Sequence, residues 1–250
     1  MKLKKYLSTL LLTVIMLSFK EPNKPVIWLC GDSTMSEKQT TAYPETGWGM
    51  PFKYFWDSTV QVKNLAKNGR STKTFIAENL WQKVLDSAKE GDFVFIQFGH
   101  NDEVPEKKDR YTTPEEFKNN LKKFIAESKA KKAIPILLTP VSRRKFDSLG
   151  NAQETHLEYS KLVKEVAETE KTLLIDLDQK SKSLLQSLGE DKSKLLFVQL
   201  QPNEHPNYPN GKLDNTHFNE LGARMMAQIV LNELKNLGTN LNEHIIKAKQ

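Results

Sequence analysis

Four short segments of the sequence contain the residue types that together can cleave an ester. They are Gly-Asp-Ser-Thr at 31–34, Asn-Gly-Arg-Ser at 68–71, Gly-His-Asn-Asp at 99–102 and Asp-Asn-Thr-His at 214–217. Ester cleavage by a hydroxyl nucleophile also needs a base, a group that orients the base, and hydrogen-bond donors for the developing oxyanion. The four segments supply a candidate for every one of these roles.

Ser33 is the candidate nucleophile, and the pair Asp214 and His217 is the candidate base system. A neutral imidazole at His217 can accept the proton of the Ser33 hydroxyl, while the Asp214 carboxylate holds the other ring nitrogen. A loop that folds back over three residues would bring these two side chains together. Each motif alone has an ordinary alternative, because Ser33 can cap a helix and His217 can be a surface histidine beside a helix start.

Gly69 and Asn101 are the candidate oxyanion donors. Gly69 has no Cβ, so a substrate oxygen can approach its backbone N–H closely. The side-chain amide of Asn101 is a donor that carries no charge. The alternatives are a plain turn at Gly69 and a local hydrogen bond from Asn101 to the backbone.

The elements that must position these residues are indicated by five short apolar runs. The runs are 26–30, 60–65, 93–98, 134–139 and 173–177. Their continuous apolarity predicts strands that are covered on both faces. Segments with helical spacing occur at 74–88, from Pro114 onward, at 153–169 and from Asn219 onward, and Leu157 and Leu221 are assigned to apolar helix faces. This alternation predicts an α/β fold, a three-layer α/β/α sandwich with a five-stranded parallel sheet in a flavodoxin-like arrangement.

The predicted sheet places three of the four segments at one edge. Ligands of open α/β sheets bind outside the carboxyl ends of the strands. Ser33, Gly69 and Asn101 follow the first, second and third predicted strands, so their side chains are expected on the same rim. This shared position favours a catalytic interpretation over unrelated structural roles.

The start of the chain is typical of an export signal. Lys2, Lys4 and Lys5 precede an apolar run at 6–19, which Lys20 ends. A basic start followed by roughly 7–15 apolar residues describes a secretory signal, whereas a membrane span needs about 20. We therefore expect a signal peptide at 1–22, a domain at 23–250, and a periplasmic or extracellular protein, with an uncleaved anchor as the alternative.

Composition and missing motifs exclude several other classes of protein. The net charge is +6, and basic and acidic residues are interspersed, which indicates a solvated surface rather than a nucleic-acid interface. Met35 stands where an α/β-hydrolase elbow has its second glycine. Phosphate loops, dinucleotide loops and metalloprotease motifs are absent, and the five histidines are scattered, so no cofactor and no metal are predicted. The single cysteine, Cys30, lies in an apolar run and is expected to be buried.

The four segments, in this order, resemble the blocks of the SGNH, or GDSL, hydrolases. The flanking residues are similar to those of rhamnogalacturonan acetylesterases at 47–49, 68–72, 97–102, 139–144 and 214–218. The resemblance spans about 26–234 and implies the SGNH fold and a metal-free esterase that removes acetyl groups from plant pectic polysaccharide. It also implies that Ser33 is the nucleophile, His217 the base and Asp214 its orienting group, with the Ser33 N–H, the Gly69 N–H and the Asn101 amide as oxyanion donors.

The predicted partner is an acetylated polysaccharide or oligosaccharide, with no nucleic acid and no stable membrane association after removal of the signal. The candidates for sugar contact are Trp48, His100, Arg143, Arg144 and Tyr208. Packing is the alternative for Trp48, a solvated pair is the alternative for the two arginines, and His100 is expected at the rim. The long polar segment 199–213 is expected to line the cleft. Two other functions stay open: an SGNH lipase, thioesterase or lysophospholipase acting on longer acyl esters, and a non-catalytic glycan-binding relative.

Overall fold

A parallel sheet of five strands forms the centre of the structure. The computed structural model describes residues 24–247, so the expected signal peptide at 1–22 and both ends of the expected domain at 23–250 lie outside the described residues. The strands are β1 (Val26–Gly31), β2 (Gln61–Asn64), β3 (Phe93–Gln97), β4 (Ile134–Leu138) and β5 (Leu173–Ile175). Their order across the sheet is β2-β1-β3-β4-β5, and all neighbours are parallel. The predicted sheet is therefore confirmed.

Helices cover both faces of this sheet. They are α1 (Gly49–Phe52), α2 (Thr72–Ala77), α3 (Leu80–Ser87), α4 (Pro114–Ala130), α5 (Leu157–Thr169), α6 (Leu177–Ser193) and α7 (Glu220–Asn236). Helix α4 begins with a reciprocal capping box between Thr113 and Glu116, and Pro114 occupies its first position. No helix within residues 24–247 combines the length and the apolarity that a bilayer span needs.

Alternate side chains of each buried strand enter two separate cores. Ile27 and Leu29 of β1 pack with residues of α1, α6 and α7, whereas Trp28 and Cys30 pack with residues of α2 to α5. The Cys30 side chain is completely buried, as expected. Strands β1, β3 and β4 contribute to both cores and are almost entirely apolar, which explains why continuous runs identified them. The edge strand β2 is polar at three of its four positions and is exposed or half-buried. The α/β/α sandwich is confirmed.

Some local predictions were wrong. The helix predicted at 74–88 is two helices, because Asn79 adopts a left-handed backbone with φ of 56°. Leu157 and Leu221, assigned to apolar helix faces, are 71% and 50% exposed. Both lie in the first turn of their helices, where the chain has only begun to pack on the sheet.

A second, two-stranded antiparallel sheet was not predicted. It consists of β6 (Phe197–Leu200) and β7 (Lys212–Phe218), and it follows α6, which was also not predicted. Helix α6 is mostly polar and is interrupted at Gly189, where φ is 70°. Strand β7 alternates exposed and half-buried residues, so it lacks the apolar run that identified the other strands.

Candidate active site

Ser33 lies directly after β1, in a turn that the core holds tightly. The chain can pass close to β3 here because residue 31 is glycine; a Cβ on Gly31 would lie 2.7 Å from the backbone oxygen of Gln97. The buried Asp32 carboxylate accepts hydrogen bonds from the N–H and the hydroxyl of Thr34, at 2.9 and 2.8 Å. These contacts fix the turn and leave the Ser33 side chain at the surface of the site, with 9% of the residue exposed.

The candidate base system lies on strand β7, not in the loop that the sequence predicted. Phe197 pairs with Phe218 and Gln199 pairs with Leu213, so one residue of β6 faces four residues of β7 between these pairs. This irregularity carries residues 214–217 out of the ladder. It allows the two side chains, three positions apart, to meet on one side of the strand.

Ser33, His217 and Asp214 form a continuous chain of hydrogen bonds. The distance from His217 Nε2 to Ser33 Oγ is 2.9 Å, and the distance from His217 Nδ1 to Asp214 Oδ2 is 2.7 Å. The other oxygen of Asp214 accepts the backbone N–H groups of Thr216 and His217, at 2.8 and 2.9 Å. This geometry can move a proton from the hydroxyl to the imidazole.

Asp214 is held in its ionised form. Burial raises the pKa of this carboxyl, but the hydrogen bonds and charge of His217 and the N–H of Thr216 outweigh burial, so its pKa lies well below the usual range. A fixed negative charge at this position stabilises the imidazolium that forms when His217 accepts a proton.

A network of charged side chains supports Asp214 from behind. Lys212 Nζ lies 3.4 Å from Asp214 Oδ2 and 2.7 Å from Glu45 Oε2, and Lys38 Nζ lies 2.8 Å from the other oxygen of Glu45. Lys38 also donates to the side-chain oxygen of Asn68, at 2.6 Å. The network therefore connects β7 to the segment that contains Gly69. The sequence did not predict this network, because its charged residues lie far apart in the chain and their spacing forms no recognisable motif.

This network is mostly buried. The side chains of Lys38 and Glu45 are only 2% and 8% exposed. Burial lowers the pKa of Lys38 despite its contact with Glu45. Burial also raises the pKa of Glu45, but the two lysines outweigh this effect, so the pKa of Glu45 lies below its usual range. Each of these buried charges would be strongly destabilising without its partners.

Hydrogen bonds link the segments that contain the candidate oxyanion donors. Arg110 donates to the Gly69 oxygen at 3.3 Å. The Ser36 hydroxyl donates to the Ser33 oxygen and to the Asn68 side chain.

Gly69 has a φ of 75°, which favours glycine. Within residues 24–247, the N–H groups of Ser33 and Gly69 donate to no protein acceptor. The Asn101 amide nitrogen donates to the Arg70 oxygen at 2.9 Å, and Arg110 donates to the Asn101 amide oxygen at 3.2 Å. Arg110 thus fixes the orientation of the Asn101 amide, with the amide nitrogen on the side of the Arg70 oxygen. No sequence pattern indicated the role of Arg110.

Asp102 joins two of the oxyanion segments. One of its oxygens accepts the N–H and the hydroxyl of Thr72, at 2.9 and 2.6 Å, and the hydroxyl of Thr112, at 3.0 Å. Burial raises the pKa of Asp102 to about 7, although these hydrogen bonds oppose the effect. The contact ties the end of β3 to the start of α2 and so sets the distance between Asn101 and Gly69.

Three of the five sugar-contact candidates are buried: Trp48, Arg144 and His100. Trp48 is completely buried, and its indole N–H donates to the Gln97 side chain at 2.7 Å, so packing is its role. Arg144 is 7% exposed and donates to the Asn215 side chain, the Ser193 hydroxyl and the Glu190 oxygen. Neither a sugar contact nor the alternative of a solvated pair applies to Arg144, because its guanidinium holds β7 against α6.

Arg143 lies at the rim beside the catalytic candidates. It donates to the Thr216 hydroxyl at 2.7 Å and to the His100 carbonyl oxygen at 3.5 Å, and it lies 3.7 Å from Glu103. About a third of its side chain (32%) stays exposed.

His100 is buried rather than at the rim. Its ring packs against the ring of His156, with centroids 4.2 Å apart, and His156 Nδ1 lies 2.9 Å from Glu103. Burial and the nearby charges of His156 and Arg143 hold the pKa of His100 well below its usual range. The packing of this neutral imidazole against His156 fixes the residue that directly precedes Asn101.

Segment 199–213 packs against a neighbouring turn. Asn207 donates to the backbone oxygens of Thr40 and Tyr43, both at 2.9 Å, and the Tyr208 hydroxyl donates to that of Ala42 at 2.8 Å. Tyr208 therefore anchors the segment. The segment was expected to line the catalytic cleft, but these hydrogen bonds hold it against the turn at 40–43.

Glu45, Asp214 and His217 also place three potential metal ligands within 4.8 Å of one another. Lys38 and Lys212 already neutralise the two carboxylates, and both ring nitrogens of His217 are occupied by Ser33 and Asp214. The donor set therefore fits a hydrogen-bonded triad better than a cation.

Comparison with known proteins adds independent findings. A model of the GDSL-like lipase/acylhydrolase family matches residues 29–225. The chain is 40% identical to the rhamnogalacturonan acetylesterase RhgT of Bacillus subtilis over 227 residues, which cover 90% of this chain and 97% of the relative. It is 36% identical over 224 residues to the probable rhamnogalacturonan acetylesterase YesY of the same species, covering 89% of this chain and 98% of the relative.

A solved structure shares the fold. The crystal structure of the Bacillus subtilis protein YxiM superposes with a TM-score of 0.74 and 30% sequence identity, over 86% of this chain. This chain spans 57% of the length of that protein.

Proposed function

Because the chain belongs to the GDSL-like lipase/acylhydrolase family, whose members are carboxylic ester hydrolases, we propose that it is a serine esterase that removes O-acetyl groups from plant cell-wall polysaccharide, with pectic rhamnogalacturonan as the substrate. The observation that carries the proposal is the hydrogen-bonded chain from Ser33 through His217 to Asp214, together with the backbone N–H groups of Ser33 and Gly69, which donate to no protein acceptor among residues 24–247. The names of the two relatives support the acetyl group and the polymer.

The first half of the reaction forms an acetyl-enzyme. Ser33 Oγ attacks the acetyl carbonyl carbon while His217 Nε2 takes the hydroxyl proton. The carbonyl oxygen becomes an oxyanion, and the N–H groups of Ser33 and Gly69 and the amide of Asn101 stabilise it. The sugar oxygen then leaves with the proton from His217, which regenerates the sugar hydroxyl.

The second half hydrolyses this intermediate. Water attacks the acetyl carbon and gives its proton to His217, and the same donors bind the second oxyanion. Collapse of this intermediate breaks the bond to Ser33 Oγ, which recovers its proton from His217, and acetate is released. Asp214 remains ionised throughout and stabilises the imidazolium at both steps.

The position of Arg143 is an argument for an acidic sugar near the acetyl group. Its guanidinium is held by Thr216, the neighbour of His217, and about a third of the side chain is exposed. Arginine binds carboxylates through two parallel hydrogen bonds, which suits the uronic acid of a pectic chain. A polymer substrate also agrees with the export that the basic and apolar start of the sequence predicts.

Acetate release from a panel of polymers tests the proposal. Acetylated rhamnogalacturonan, acetylated xylan and acetylated chitin fragments are compared for the wild type and for Ser33→Ala, together with nitrophenyl acetate and nitrophenyl decanoate. We expect the fastest release from rhamnogalacturonan, a strong preference for the acetate ester, and no release above background for Ser33→Ala. Faster hydrolysis of the decanoate supports the acyl-lipid alternative. Tight polymer binding without acetate release supports a glycan-binding relative.

A further inference from the structure

A cavity of about 540 Å³ lies next to the charged network but outside the catalytic residues. We propose that it is an accessory binding site for an acidic oligosaccharide, in which the sugar rings lie against tyrosine side chains and a hexuronate carboxylate meets Lys53 and Arg224. The choice of a hexuronate rests on the proposed function, whereas the existence of the site rests on the geometry described below.

The walls of the cavity are held by hydrogen bonds. One wall contains Thr40 and Tyr43, and the segment with His205 and Asn207 forms an adjacent part of the lining. The Asn207 amide joins these two parts through its two hydrogen bonds to backbone oxygens. The cavity is therefore formed before a ligand binds, which reduces the entropy cost of binding.

Aromatic side chains line the cavity and remain open to solvent. Tyr43 is 45% exposed and Tyr54 is 64% exposed. The Tyr43 ring lies against His205, with centroids 5.5 Å apart, and its hydroxyl donates to Glu220 at 2.7 Å. Small-molecule sites combine such apolar and aromatic surfaces with a few placed polar groups. The C–H face of a sugar ring is a suitable partner for an exposed tyrosine ring.

The charges of the cavity favour an anionic ligand. Within the described part of the chain, Lys53 and Arg224 form no ion pair with a carboxylate, although both line the cavity. The two acidic residues of the wall are engaged: Glu45 by Lys38 and Lys212, and Glu220 by the Tyr43 hydroxyl. Lys53 and Arg224 thus have no carboxylate partner among residues 24–247, although the Lys53 ammonium also lies 5.2 Å from the centroid of the Tyr54 ring. An arginine and a lysine are the usual partners of a carboxylate.

The position of the cavity links it to catalysis. Glu45 belongs both to the cavity wall and to the network behind Asp214. A polymer that places one sugar residue in the cavity therefore has another sugar residue close to Ser33. Binding at two places on one chain raises the effective concentration of the acetylated residue at the catalytic site. A short ester that reaches only Ser33 gains nothing from the cavity.

Calorimetric titration of the Ser33→Ala protein with a galacturonate trimer tests the site without turnover. We expect saturable binding that weakens about tenfold or more when Lys53→Met and Arg224→Met are combined, because two charge-assisted hydrogen bonds are lost. Tyr54→Ala is expected to weaken binding as well. Lys63→Met is the matched control, because the Lys63 ammonium also lies over an aromatic ring, 4.6 Å from Trp28, but outside the cavity.

A second measurement uses the active enzyme. The Lys53→Met and Arg224→Met pair is expected to raise KM for acetylated rhamnogalacturonan at least several-fold more than KM for nitrophenyl acetate. The accessory site is overturned if the trimer binds with equal affinity whether or not Lys53 and Arg224 are substituted. It is also overturned if decanoate binds the cavity more tightly than the trimer does. If acetate is released from the polymer but the affinity for the trimer does not change when Lys53 and Arg224 are substituted, only the accessory site fails. If trimer binding depends on them but no polymer releases acetate, only the proposed function fails.

Discussion

The serine side and the base side of the site are held in place by different parts of the molecule. Ser33, Gly69 and Asn101 follow β1, β2 and β3, so the buried parallel sheet sets their positions. Asp214 and His217 lie on the small antiparallel sheet, which charged side chains connect to the rest of the site. The serine side therefore depends on core packing, whereas the base side depends on ion pairs that substitution can break one at a time.

Removal of the base is expected to have the largest effect, because it disconnects the two sides. His217→Ala should lower kcat by about 10⁶-fold, and the double variant with Ser33→Ala should be no worse, because nucleophile and base act as one unit. His244→Ala is the control, since that histidine contacts the Thr59 hydroxyl far from the site. Additive losses in the double variant would show that His217 does not act through Ser33.

Loss of one oxyanion donor on the serine side is expected to cost less. Asn101→Ala should lower kcat by about 10²–10³-fold, because one of several donors is removed and the hydrogen-bonded triad is kept. The free energy of unfolding should be measured in parallel, since Arg110 loses a partner in this variant. Unchanged kcat in a folded protein would exclude Asn101 from the oxyanion site.

The base side should respond to a break in its ion network. Glu45→Gln leaves Lys38 and Lys212 without their shared carboxylate, so we expect a loss of about 3 kcal/mol in the free energy of unfolding. Displacement of Asp214 should lower kcat by up to about 10²-fold. Glu90→Gln breaks an exposed pair with Lys132 and should change stability by less than about 1 kcal/mol. Similar losses in both variants would contradict a special role for the network.

The last expected effect concerns stability rather than catalysis, and it is the pH dependence of the serine side. Burial raises the folded-state pKa of Asp102 to about 7, whereas an unfolded aspartate titrates near about 3.9. Between these values the folded protein binds the extra proton, so the free energy of unfolding should fall as pH rises, by up to about 1.4 kcal/mol per pH unit. Asp102→Asn should flatten this slope between about pH 4 and 7.

Chemical denaturation at several pH values measures the slope. Asp86→Asn, a change at an exposed carboxylate on α3, should leave the slope as in the wild type. A slope that Asp102→Asn does not change would mean that Asp102 stays ionised in the folded protein.

The same division explains what the sequence could predict. Strands β1, β3 and β4 are buried on both faces and almost entirely apolar, so they and the rim with Ser33 and Asn101 could be predicted from the sequence. The edge strand β2, which precedes Gly69, is polar at three of four positions and gave a weaker signal. Strand β7 is half exposed and carries polar residues, so nothing in its pattern indicated a strand under Asp214.

Contacts between distant charged residues could not be predicted either. Lys38, Glu45, Lys212 and Arg110 meet only in the folded chain, and their types are those of any solvated surface. Trp48 and His100 show the converse, because their types suit sugar recognition but the fold buries them. Burial is a property of the packed structure, and motif spacing carries little information about it.

Detection of the acetyl-enzyme tests the central account most directly. The protein is mixed with nitrophenyl acetate, quenched in acid at short times, digested and examined by peptide mass spectrometry. The account predicts one added acetyl group on the peptide that contains Ser33, at a level that rises and falls with turnover, and none in Ser33→Ala. An acetyl group on another residue during turnover, or turnover without any label on Ser33, would contradict it.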